Sequence, residues 1–152
     1  MSIFGLILII IITASAAILA VMARLMKAKY ILDSYVVKID EVFLERLEIL
    51  MDISLEVCEL YELLEDIYGM SVRVVEKKLP AIREHFLPYK HILEQSEDLE
   101  YNTRVIQGRL QKYSNLIEEY NTKLCKPQNI YVAKMIGLEP EQGFDTLLGE
   151  PF

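Results

Sequence analysis

No basic residue stands before Arg24, and neither proline nor glycine interrupts the chain from Leu25 to Tyr68. The 152 residues include only two cysteines and two histidines. Each scarcity excludes something. Cys58 and Cys125 make no disulfide framework. Each falls in a helical pattern and reads as a core or interface thiol, so no disulfide partner is expected. His85 and His91 do not share one face of a straight helix and belong to no His-Glu-x-x-His motif or Cys/His cluster. They read as exposed or capping residues. There is no Gly-rich phosphate loop, no Cys-x-x-Cys pair and no serine or cysteine with a base nearby in sequence. The expectation is a chain with no catalytic residues, no metal and no cofactor.

The missing charge at the start leaves a long apolar run. Residues 3–23 read IFGLILIIIITASAAILAVMA, with only Thr13 and Ser15 polar. As a helix this run rises roughly 31 Å, enough to cross the hydrocarbon core of a bilayer. The rival reading is a cleaved signal peptide, because Ala14-Ser15-Ala16 has the small-x-small form of a cleavage site. Against it stand the absence of a basic start and an apolar run that continues past Ala16. The membrane span is the expectation. Arg24, Lys27 and Lys29 follow it at once, and the positive-inside rule places them and the rest of the chain in the cytoplasm. Gly5, Ala16 and Ala20 form part of a small-residue stripe through which the span could contact another helix.

The remainder is acidic. The chain holds 16 basic and 23 acidic residues, and its first 30 residues hold three basic and no acidic ones. That leaves 13 against 23, formally −10, a charge that argues against nucleic-acid binding through phosphates. Soluble partners with basic faces would be attracted.

Apolar residues from Leu32 to Ile67, Val57 among them, recur at spacings of three and four, the mark of an amphipathic helix continuous with the span. A break near Asp33-Ser34 is open to it, since both residues can cap. Asp40, Glu41, Glu45, Arg46 and Glu48 read as a solvated, charge-laced face rather than a carboxylate site. Gly69 closes this helix and Ser71 starts the next, whose buried face is expected at Val72, Val75, Leu79, Ile82 and Phe86. Pro80 bends or breaks it, and Pro88 ends it or bends it again. Ser96 caps a third helix running to about Leu124, with Leu99, Ile106, Leu110, Tyr113, Ile117, Tyr120 and Leu124 as its apolar series and Gly108 as a candidate close contact. Pro127 stops that helix. Asn129 could cap a short last helix closed by Gly137, with Val132, Met135 and Ile136 packing back. No strand is expected. The fold class is therefore all-α: a transmembrane helix continuing into an antiparallel bundle of three main helices plus a short C-terminal one. The expected division is 1–30 for the span and basic juxtamembrane segment, 31–137 for the acidic bundle and 138–152 for an extended acidic tail. Phe144 and Leu147 or Leu148 are candidate anchors of that tail.

Tyr113 and Tyr120 stand one heptad apart, on nearly one face. The bland reading is packing, with hydroxyls finding partners. The stretch YSNLIEEYNTK, then PQN at 127–129, VAKMIG at 132–137, Pro140 and Phe144 resembles the C-terminal pattern of the LemA family of bacterial inner-membrane proteins. Tyr120-Asn121 keeps the family's Tyr-Asn pair, while Ser114-Asn115 follows Tyr113. Ile39-Asp40, Arg46 and ILMDIS at 49–54 match the first helix more loosely. Met51 and Asp52 replace the family's proline and asparagine, which implies a straighter helix over 33–68. The resemblance implies a single-pass protein of the bacterial plasma membrane and a helical scaffold or adaptor without a defined active site. Tyr113, Tyr120, Asn121, Pro127, Asn129 and Gly137 are its packing or interaction residues. Expected partners are the lipid bilayer and either another membrane protein or further copies of the chain, as in a homo-oligomeric envelope structure. A small-ligand sensor with Tyr113 and Tyr120 lining a pocket is the other alternative.

Overall fold

The computed structural model describes residues 3–56, 58–144 and 146–149. Met1 and Ser2, which precede the apolar run, lie outside the described residues, as do Val57 and the last residues of the tail. So do the side chains of Cys58 and Leu147. Every regular element among the described residues is helical.

Helix α1, Ile3–Ile53, is 51 residues long and is, among the described residues, the one helix apolar and long enough to cross a membrane; none of its apolar window is buried within the protein. It runs through Asp33-Ser34 without a break. From Leu25 onward it has a buried stripe of Leu25, Leu32, Tyr35, Ile39, Val42, Phe43, Leu47 and Leu50. These positions return every three or four residues, so one side of the helix leaves water while the other stays charged. The unbroken helix expected over 33–68 is corrected here. A 3-10 turn at Ser54–Glu56 interrupts it, and α2 resumes at Cys58–Ile67. Neither proline nor glycine stands at the break, which is why the sequence pattern does not announce it.

Gly69 takes a positive φ of 78°, which glycine adopts without steric cost, and reverses the chain after α2. Helix α3, Val72–Glu76, starts after Ser71, as the pattern predicts. Its cap comes from elsewhere. The Val72 backbone N–H donates to Asp40 Oδ1 at 2.6 Å, and Ser71 Oγ donates to the same oxygen at 3.4 Å. Pro80 breaks the next helix, and α4, Leu79–Phe86, begins with that proline in its first turn, where no N–H is missed. A 3-10 turn at Leu87–Tyr89 holds Pro88, and α5, Lys90–Leu93, follows. All five residues of the expected face from Val72 to Phe86 are buried.

Helix α6, Glu97–Leu124, is capped by Ser96, whose Oγ accepts from the Leu99 N–H at 3.2 Å. Gly108 is exposed and an added Cβ would meet nothing, so the close contact expected there is absent. Helix α7, Pro127–Met135, ends in a Schellman motif: Leu138 N–H donates to Ala133 O, Gly137 N–H to Lys134 O, and Gly137 has φ 70°. Val132 and Ala133 are its buried residues; Met135, expected to pack inward, is 65% exposed.

The chain divides into two compact units. One comprises Met1–Asp33 and Leu116–Gln142, the other Ser34–Asn115 and Gly143–Phe152. Helices α1 and α6 each contribute to both, and so does the segment after α7.

Candidate functional site

The second unit is built around Arg46, which is 1% exposed. This corrects the expectation of a solvated face for Arg46 alone, since Glu41, Glu45 and Glu48 are exposed. Its guanidinium donates from Nε to Asn102 Oδ1 at 3.2 Å, from Nη2 to Thr103 Oγ1 at 2.8 Å and from Nη1 to Leu148 O at 3.1 Å. The acceptors are held in turn. Asn102 Nδ2 donates to Val42 O at 3.1 Å, and Thr103 Oγ1 donates to Leu99 O at 2.8 Å. The rigid fork of arginine suits such a set of separated acceptors, which lysine would not span. Burial lowers the Arg46 pKa to about 10, so the side chain stays cationic at neutral pH.

The tail closes this unit. Leu148 is fully buried in a 3-10 turn, Thr146–Gly149, and Gln107 Nε2 donates to Gly149 O at 2.9 Å. A Cβ on Gly149 would lie 3.2 Å from both Gln107 Cγ and Leu110 Cδ1, so this glycine, not Gly108, marks the close approach. Phe144 packs against Tyr113 with ring centroids 5.1 Å apart. Arg73 lies 4.1 Å from the Phe144 centroid and donates to Tyr113 Oη at 2.7 Å. Among the described residues of the tail, Phe144 and Leu148 are anchors packed against this unit, as expected.

The first unit holds another part of the same tail. Asn121 bonds reciprocally with Glu141: Nδ2 donates to Glu141 O at 3.0 Å and the Glu141 N–H donates to Oδ1 at 2.9 Å. Tyr120 Oη donates to Glu139 O at 3.3 Å. Lys29 turns to Asp33, 2.9 Å away, and to the Glu141 carboxylate. Burial works against its charge, but the bonds to Glu141 and Asp33 outweigh it and the pKa rises. Burial likewise raises that of Tyr120.

The sequence-predicted residues separate accordingly. Tyr113 and Tyr120 are both buried but fall in different units. Pro127 is the first residue of α7 rather than only a terminator of α6. The helix cap expected of Asn129 is corrected: its Nδ2 donates backward to Lys123 O at 2.7 Å, tying the end of α6 to the start of α7. Ala16 and Ala20 are exposed on α1, while Gly5 is half-buried. Arg24 and Lys27 line a cleft with α7. His85, His91 and the Cys125 thiol are exposed. Among the described residues no group of three His, Cys, Asp or Glu could hold a metal ion. Arg46 and Asn102 are the residues that periodicity misses. The available signal was the Tyr-Asn pair at 101–102, which repeats at 120–121. Asn115 is exposed and accepts only from Gln111 among the bonds described.

Comparison with protein-family models, curated proteins and solved structures finds no match to this chain.

Proposed function

We propose that the chain is a single-pass membrane tether whose acidic helical bundle docks on another membrane protein or complex, as the LemA-like motifs imply. The observation that carries this reading is α1. One uninterrupted helix passes from an apolar stretch of membrane length, none of it buried, to a stripe that is buried as far as Leu50. A helix that continues past the apolar stretch with no break at Asp33-Ser34 links the span directly to the chain that follows it. That geometry suits a scaffold more than a diffusing enzyme.

An antiparallel course of α1 and α6 in the second unit is supported by two pairings. Lys112 lies over the Tyr35 ring, and eleven residues further along α1 Arg46 meets Asn102, earlier in α6. The bundle's formal charge favours a partner with a basic face. The basic side chains after the span favour a cytoplasmic domain at a bacterial plasma membrane.

Crosslinking in intact native membranes, followed by mild-detergent purification and mass spectrometry, tests this. One membrane protein recovered in constant ratio, crosslinked through α2–α6, is the expected result. Self-crosslinks alone would replace the adaptor with a homo-oligomeric structural role.

A further inference from the structure

In the first unit a cleft of about 470 Å³ opens beside the end of the apolar stretch. That volume lies within the about 300–1,000 Å³ of ordinary small-ligand sites. Its α1 wall is apolar, made by Val21, Leu25, Ala28 and Ile31. Four cations stand around it: Arg24 and Lys27 from α1, and Lys123 and Lys126 from the α6–α7 junction. No acidic residue lines it. Arg24, Lys27 and Lys126 enter no ion pair among the described residues, and Lys123 has only an exposed partner, Glu119, at 3.6 Å. The wall opposite α1 is held in place by the Asn129 bond to the Lys123 carbonyl.

Four cations converging in a chain of net charge −7 need an explanation. Brought together without a counter-charge they repel one another. A polyanionic protein partner or nucleic acid would meet the same cations, but neither explains the apolar wall, which begins at Val21 inside the membrane-length stretch. A phospholipid explains both halves: acyl and glycerol carbons against Val21 and Leu25, phosphate among the cations. We infer that this cleft is a binding site for the phosphate headgroup of an anionic phospholipid, which bridges α1 to the α6–α7 junction. The inference rests on the membrane-spanning reading of α1. It goes further in requiring Lys123 and Lys126, which lie about a hundred residues from the span.

The test uses the full chain reconstituted in vesicles of phosphatidylcholine, with or without phosphatidylglycerol. Native mass spectrometry then counts the lipids retained after release into mild detergent. The wild-type chain should retain one phosphatidylglycerol. K123Q/K126Q should weaken retention about thirtyfold, from two lysines each contributing roughly fivefold near an anionic surface. K134Q, an exposed lysine outside the cleft, should change nothing. An unaltered melting temperature certifies the double variant, since the Lys123–Glu119 pair is exposed and contributes little. If K123R/K126R, which keeps both charges, also fails to bind, the charge argument is overturned. Equal retention by K123Q/K126Q and wild type overturns the inference. Inorganic phosphate displacing the lipid at matched concentration overturns the lipid as the source. A chain that resists alkaline extraction from both vesicles yet retains no phosphatidylglycerol overturns this inference alone. A chain stripped from both overturns the span as well.

Discussion

In the unit of residues 34–115 and 143–152, a cation inside the core grips the tail: Arg46 reaches the Leu148 carbonyl while Leu148 itself is buried. In the unit of residues 1–33 and 116–142, the tail is held by an amide and a phenol, through Asn121 and Tyr120, with Lys29 paired near the surface. The same short segment is thus secured twice by different chemistry. A buried guanidinium tolerates no missing acceptor, because an unsatisfied charge away from water is costly. It makes its unit specific and brittle. Half-exposed amide bonds are weaker singly and more forgiving, since water replaces them. They also leave the other cations of the first unit free to face a ligand.

The largest expected effect tests the brittle side. Arg46→Leu should cost about 3 kcal/mol or more in stability, because Asn102 and Thr103 lose their donor inside the core. Arg46→Lys should recover little of it. Urea denaturation of the full chain in mild detergent, followed by circular dichroism, measures this. A loss under about 1 kcal/mol would erase the distinction between the units. Leu148→Ala should follow at about 2–4 kcal/mol, the usual range for emptying a buried leucine site. If the same denaturation experiment gives no change, the tail is no part of the second unit's core.

Asn121→Ala removes two partly buried bonds and should cost about 1–2 kcal/mol. Its sharper readout is local. A glutamate-specific protease should cut after Glu141 faster in the variant than in wild type, and equal rates would contradict the tether.

The smallest effect is alkaline, and its sign differs between the units. Lys29 and Tyr120 have raised pKa values, so their contribution is complete below the unfolded values of 10.5 and 10.0 and is lost as pH climbs through the higher folded ones. Arg46 has a lowered value, about 10, so its penalty is relieved as pH climbs above that value and stability from it rises with pH. Melting temperatures from pH 7 upward in wild type and Lys29→Gln should therefore agree at neutral pH apart from a small constant offset. The wild type should then decline more steeply above about pH 10. Parallel curves would deny Lys29 its role.

Much of the local structure was legible beforehand. Ser96 caps α6, Gly69 and Gly137 end helices at positive φ, Pro80 breaks the middle, and the face from Val72 to Phe86 is buried as its spacing requires. These features depend on residues within a turn or two of each other. The break at Ser54–Glu56 was not legible, because no proline or glycine marks it. Nor was the cap of α3, which Asp40 supplies from α1. Arg46 sat among acidic residues and read as solvent-facing. Its partners lie 56, 57 and 102 residues away, and no local pattern encodes them.

By itself the sequence determined the helical class, the membrane-length apolar run, the acidic remainder and most helix ends. Hydrophobic period, caps and breakers act over a few residues, and composition decides net charge without any fold. Only the tertiary structure decided which cation goes inside, which glycine meets a neighbour, how the tail is held, and where Lys123 and Lys126 join Arg24 and Lys27. Those outcomes depend on side chains meeting across long stretches of chain. Burial then makes each meeting count, because a charge or polar group removed from water must be answered by whatever the fold places beside it.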